Sequence, residues 1–168
     1  NGSAANGFGS ADVTVAESFL YTVGSFVHAA TYAAAHGGLV HSPTSGFHHA
    51  GPDTAQGFCT FNGLALAARV LRDDLSRDVG ILDLDMHYGN GTAACLDLNG
   101  DDAGNHVEDG PDDKRGLHPI RQVSRDWTDG EQCLRDLPGV LDSFQYLTRG
   151  SGVLLYQAGA DSHIHDPY

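Results

Sequence analysis

The chain has 168 residues, 40% of them hydrophobic, which is enough for one domain with a buried core. Its formal charge of -13, from 22 acidic against 9 basic residues, argues against a phosphate-binding surface and so against a nucleic-acid partner, and it suits a cationic one. No run approaches the ~20 apolar residues of a membrane span and no signal segment opens the chain, so no membrane partner is expected; three widely spaced cysteines, Cys59, Cys95 and Cys133, read as reduced thiols and a cytoplasmic location.

Val13 to Ala35 is predicted to be a helix, because Val13, Phe19 or Leu20, Val23, Val27 and Ala30 fall on one face and His36-Gly37-Gly38 ends the pattern. Leu39 to Ser42 then reads as a short strand leading to the adjacent pair His48-His49. Phe61 to Leu75, rich in Ala and Leu, reads as a second helix, followed by a strand from Val79 to Leu84. Residues 97–130 give no clear periodicity. Asp97, Asn99, Asp101 and Glu108 partly match a calcium loop, but Asp102 stands where that loop needs Gly, so a solvated acidic loop is the plainer reading. Glu131 to Tyr146 is a third helix bent or divided by Pro138, and Val153 to Gln157 a further strand. Strands alternating with helices predict an α/β protein, a three-layer α/β/α arrangement around a mostly parallel sheet.

The run from Ile81 to Thr92, ILDLDMHYGNGT, loads the end of an apolar strand with metal-binding chemistry. Leu82 and Leu84 alternate with Asp83 and Asp85, so strand geometry predicts Asp83, Asp85 and His87 on one face. Asp85 and His87 then suit Zn2+ or a similar divalent ion. A buried strand ending in a polar turn is the alternative for this run taken alone. Asp161 closes a second apolar run, Val153 to Ala160, and ligands in a parallel sheet collect beyond the carboxyl ends of strands. Two carboxylates and one imidazole leave a position for water, the arrangement of a catalytic rather than a structural zinc.

Four motifs in order, GFHHAG, GFCTFNGLALAA, ILDLDMHYGNGT and LLYQAGAD, resemble the zinc-dependent histone deacetylase and acetylpolyamine amidohydrolase superfamily, particularly its bacterial, class II-like branch. The resemblance implies an arginase/deacetylase-like fold with Zn2+ held by Asp85, His87 and Asp161. It implies that His48 and His49 are the catalytic pair, that Asp83 backs His48, and that Asn90 stands where some relatives place an aspartate behind the second histidine. It also implies that Gly57 and Phe58 form part of an acyl-lysine tunnel and that K+ binds near Asp83. The second tunnel wall and the remaining potassium ligands are not legible between residues 97 and 130. Relatives carry an oxyanion-stabilising tyrosine well downstream of the third ligand, and Tyr168 lies too close to Asp161 to be its counterpart. Residues 1–168 therefore read as a single, truncated catalytic domain of this kind.

An imidazole near the metal can take a proton from water and return it to the departing amine, since its ordinary pKa is about 6.5. His49 is the expected general base and acid, with His48 as electrostatic support. His163 and His165 read as ordinary loop residues, and Cys59 as a packing residue rather than a nucleophile. The expected activity is hydrolysis of acetyl-lysine peptides or small cationic acetylated amines, and the reading leaves room for a homo-oligomer. Two alternatives stay open: an impaired paralogue that binds acyl groups without turnover, and an arginase-like hydrolase with two manganese ions.

Overall fold

The computed structural model describes residues 6–44, 46–96, 106–109, 120–147 and 152–166. The first long element is helix α1, Val13–His36, whose start is fixed by Asp12: its carboxylate accepts from the Thr14 amide at 2.9 Å. Gly37 ends it, at φ 72°, with its amide on the Ala33 carbonyl. Helix α2, Gly63–Arg69, begins two residues later than the apolar pattern suggests because Asn62 caps it, accepting from the Ala65 amide. Its final turn widens into a π-helical stretch, Val70–Asp74.

Strand β1, Val79–Asp83, is buried along its whole length. Helix α3, Asn90–Leu96, follows the metal-like motif directly. The acidic middle also contains structure: β2, His106–Asp109, and β3, Ile120–Ser124, form an antiparallel pair. Glu108 lies in β2, which does not fit the helix that would follow a calcium loop, whereas Asp97, Asn99, Asp101 and Asp102 lie outside the described residues. Helix α4, Gly130–Leu147, runs through Pro138, and β4, Val153–Gln157, completes the sheet.

The sheet order is β2-β3-β1-β4, with β3, β1 and β4 parallel and β2 antiparallel at one edge. Even and odd residues of β1 face different helices. Val79 and Ile81 join Val23 and Ala30 of α1, Leu64 and Ala68 of α2, and Val153 and Leu155 of β4 in one core. Leu82 joins Val123, Trp127, Cys133, Val140 and Phe144 on the other face, under α4. This is the predicted α/β/α layering. Full burial of Leu64, Leu71 and Ile81 contributes roughly 1.5–3 kcal/mol for each side chain.

The strand predicted over Leu39 to Ser42 does not form; residues 39–44 have no ladder partner. Two apolar residues cannot offset the ordering of a strand when Leu39 is 99% exposed. The histidine loop therefore follows a segment without regular secondary structure and not a strand end. Among the described residues no helix is long and apolar enough to cross a membrane.

Candidate active site

The parallel register gathers the site on one rim. Asp83, the last residue of β1, stands level with Gln157, the last of β4, and the Leu84 amide adds one more bond to the Gln157 carbonyl at 3.0 Å. Beyond this rung strand geometry ends, so Asp83, Asp85 and His87 do not share a strand face as their alternation predicts. Instead the Asp85 amide donates to Asp83 Oδ1 at 3.2 Å and the His87 amide to Asp85 Oδ1 at 3.0 Å. Two successive Asx-type turns coil the segment. Asp83 is left fully buried, while Asp85 and His87 meet Asp161.

One donor atom from each of Asp85, His87 and Asp161 lies within 4.8 Å of the other two. His87 Nδ1 is 2.8 Å from Asp161 Oδ2 and 3.3 Å from Asp85 Oδ1. Asp161 is also fixed from behind, since its Oδ1 accepts from the Met86 amide at 2.9 Å. Gly159 allows the two loops to approach, because a Cβ there would strike the side chain and backbone of Asp85.

Burial pushes the Asp85 carboxyl up to about 6, and the neighbouring Asp161 carboxylate adds to the rise although His48 opposes it. Burial acts on Asp161 in the same direction, but the Met86 amide and the hydrogen bonds from Asp85 and His87 hold it below the ordinary carboxylate range. Two half-buried carboxylates converging on one imidazole form a donor set that suits a divalent cation. The residues fit such an ion.

His48 and His49 lie beside this group, with ring centroids 4.0 Å apart and planes tilted by 44°. They differ in what stands behind them. His48 Nδ1 meets the buried Asp83 carboxylate at 2.9 Å, and its Nε2 is 3.6 Å from Asp85 Oδ1. Burial lowers the pKa of His48, but the hydrogen bond and charge of Asp83, with the charges of Asp85 and Asp161, bring it above the ordinary value. His49 Nδ1 donates to Asn90 Oδ1 at 2.6 Å, and burial, together with the neighbouring His48 and His87, leaves its pKa below the ordinary value despite that bond. One ring favours its charged form and the other its neutral form. Gly57, at φ 54°, makes room for His49: a Cβ there would sit 2.5 Å from the imidazole Cδ2.

All these groups except Asp83 and Asn90 line a cavity of about 1250 Å³ that Phe58 also borders. His163 and His165 contact each other, with ring centroids 5.4 Å apart, and do not join the three-residue group. Tyr168 lies outside the described residues.

Several supporting residues escaped the sequence reading. Asn62 Nδ2 donates to the Ala50 carbonyl at 2.9 Å and to Thr92 Oγ1 at 3.1 Å, tying the histidine loop to α2 and α3. Its place just before an Ala/Leu helix was the available signal. The Ser124 hydroxyl accepts from the Gly89 amide at 2.9 Å, and the Gln122 amide donates to the Gly89 carbonyl at 3.3 Å. The region between 97 and 130 thus does supply polar groups beside Asp83. The Trp127 amide bonds the Met86 carbonyl and Asp126 accepts from the Tyr88 amide, bracing the motif from the other side.

Known proteins share sequence and fold with this chain. The human protein "Histone deacetylase 9" is 54% identical over 46 residues, covering 27% of this chain and 4% of its own length. The acetylpolyamine amidohydrolase of Mycoplana ramosa is 44% identical over 54 residues, 32% of this chain and 16% of that protein. The crystal structure of acetylpolyamine aminohydrolase from Burkholderia pseudomallei matches with a TM-score of 0.66 at 22% identity, covering 95% of this chain. The chain spans 49% of that structure's length and a smaller share of the other two. A family model described as "Histone deacetylase domain" matches residues 10–103, more than half of the chain, and the chain belongs to that family.

Proposed function

We propose that this chain carries the catalytic part of a zinc-dependent deacetylase that hydrolyses acetyl-lysine or acetylated polyamine amides. The observation that carries the reading is the convergence of Asp85, His87 and Asp161 beside the differently backed pair His48 and His49. The residues suited to hold the ion are Asp85 and Asp161 through carboxylate oxygens and His87 through Nδ1. When bound, zinc supplies a Lewis acid for the amide carbonyl and lowers the pKa of a coordinated water towards ~7.

The chain's own residues divide the proton work. With Nδ1–H held by Asn90, neutral His49 presents an unprotonated Nε2, and its lowered pKa keeps it in that form at neutral pH. His49 is therefore the general base, and the proton it takes is the one it returns to the departing amine. His48, biased towards imidazolium by Asp83, offers positive charge to the developing oxyanion. Phe58 and Gly57 border the path of the acyl-amine stem. A chain without a tyrosine donor at the oxyanion would lose on the order of 10² to 10³ in rate. K+ near Asp83 belongs to the same reading, and a buried acceptor of β3, Gln122 Oε1, has no hydrogen-bond partner among the described residues.

Residues 1–168 then form part of a single catalytic domain, and its substrates are small cationic acetylated amines or acetyl-lysine peptides, drawn by the -13 charge. Metal content by elemental analysis, with hydrolysis of both substrate types by the chain and by Asp85→Ala, tests the reading. One zinc per chain and activity abolished by the substitution are expected. Two manganese ions per chain, or zinc without turnover of any acyl amide, would overturn it.

A further inference from the structure

The cavity lining that includes His49 also includes Phe8, an aromatic residue that no sequence motif singled out. The Phe8 ring meets Phe58 edge-on, with centroids 5.6 Å apart and planes at 62°, and lies 5.4 Å from Phe19 on its other flank. Phe8 and Phe58 are 43% and 52% exposed, so both rings keep surface available to a solute in the cavity. The short segment that carries Phe8 is fastened to the Phe58 loop. The Phe58 amide donates to the Gly7 carbonyl at 3.1 Å, and the Thr60 hydroxyl donates to the Asn6 carbonyl. Asn6 is buried, and its Oδ1 accepts from the Phe8 and Ser10 amides. Gly7, at φ 80°, lies so close that a Cβ would come within 2.9 Å of the Cys59 amide nitrogen. This bracing holds Phe58 at φ 59°, a backbone conformation that bulky residues seldom adopt.

We infer that Phe8 determines substrate specificity by forming, with Phe58, a two-ring apolar wall for the methylene stem of the acylated amine. The inference rests on the amide-hydrolase reading above. A substrate with its amide at His49 and its cationic end in solvent must lay its stem along the cavity lining, where Phe8 and Phe58 are neighbouring rings. Each methylene buried there tightens binding by about threefold to fourfold. Phe58 alone forms half of this wall, so loss of Phe8 removes the gain for the methylenes that lie along it.

The test uses the full chain, with and without zinc, and a series of monoacetylated diamines from diaminopropane to diaminohexane. Binding is measured by calorimetry and turnover by amine release. Affinity is expected to rise by about threefold per methylene in the parent chain, to lose that dependence in Phe8→Ala, and to keep it in Phe8→Tyr. Zinc content and the circular dichroism spectrum of Phe8→Ala should match the parent; if that variant does not fold, Phe8→Leu serves, with a reduced dependence expected. An unchanged length dependence in a folded Phe8 variant, or none in the parent, overturns the inference. Binding that depends on stem length without turnover of any diamine would overturn the hydrolase reading and leave the wall standing.

Discussion

His87 Nδ1 and Asp161 Oδ2 lie 2.8 Å apart across 74 positions of sequence, and the hydrogen bond between them occupies ground that suits a shared cation. Asp161→Ala removes both a proposed ligand and the acceptor of the Met86 amide. Changes to outer residues of metal sites commonly cost 10–100-fold in affinity, so loss of this carboxylate should weaken zinc binding by more than ~100-fold. In the parent chain, zinc at about 100 times its dissociation constant should stabilise the fold by ~2.7 kcal/mol, and chelation should remove that gain. Thermal melts with and without zinc check both outcomes. A parent melt indifferent to zinc would sink the ligand assignment.

The two histidines should titrate in opposite directions from the ordinary value of 6.5. In the metal-free chain His48 should keep its proton above that pH and His49 should lose its proton below it. The consequence for stability has a definite sign. Because the folded pKa of His48 is raised, its contribution is fully present below the unfolded pKa and is lost as pH rises through the folded value. His49, with a lowered folded pKa, favours folding once it is neutral and opposes folding as pH falls below 6.5. Carbon-detected NMR of the imidazoles gives both midpoints. Asn90→Asp should raise the His49 midpoint by about 1 unit and move the acidic limb of any pH–rate profile upward with it; equal midpoints in the parent would contradict the division of roles.

Gly159→Ala is a sharper test of how the loops meet. Its Cβ would collide with the carboxylate, Cα and Cβ of Asp85, so Asp85 or the Ala158–Asp161 segment must move. Overpacking of this kind costs ~1–3 kcal/mol, and here the displaced atoms include a proposed ligand. Denaturant unfolding should show the loss of stability, and zinc titration a parallel loss of affinity. Retention of parent-like zinc affinity would mean that Asp85 need not stand where it does.

The convergence of Asp85, His87 and Asp161 was legible because these residues sit in short motifs next to apolar runs. What failed had physical reasons. The expected common face of Asp83, Asp85 and His87 gave way because side-chain acceptors captured the Asp85 and His87 amides, bending the chain where alternation implied a straight strand. Strand β3 was hidden because Gln122 and Ser124 are buried polar residues that interrupt the apolar period, and their partners at Gly89 are distant in sequence. Helix α3 was masked by Gly89-Asn90-Gly91. Gly91 reads as a turn signal, yet a Cβ there would meet the Ala50 carbonyl oxygen at 2.5 Å, so tertiary packing requires the glycine inside a helix.

Cys59 offers the last test, because its position next to Phe58 makes it the thiol closest in sequence to the proposed substrate path. Burial pushes its pKa up to about 11 from an ordinary 9.0, although the His49 and Ala50 backbone amides oppose the shift. Two units of difference leave roughly one hundredth of the usual thiolate at pH 8, and the thiolate is the reactive form. The residue is also 2% exposed and donates to the Gly57 carbonyl at 3.2 Å. Alkylation by iodoacetamide at pH 8, followed by mass spectrometry, should therefore label Cys59 at least ~100-fold more slowly than the same thiol in the denatured chain. Cys59→Ala should spare any hydrolytic activity to within a few-fold while costing stability through the small cavity it leaves. Rapid labelling in the native chain, or loss of turnover in a folded Cys59→Ala variant, would instead give the thiol a part in the chemistry that its buried, protonated state argues against.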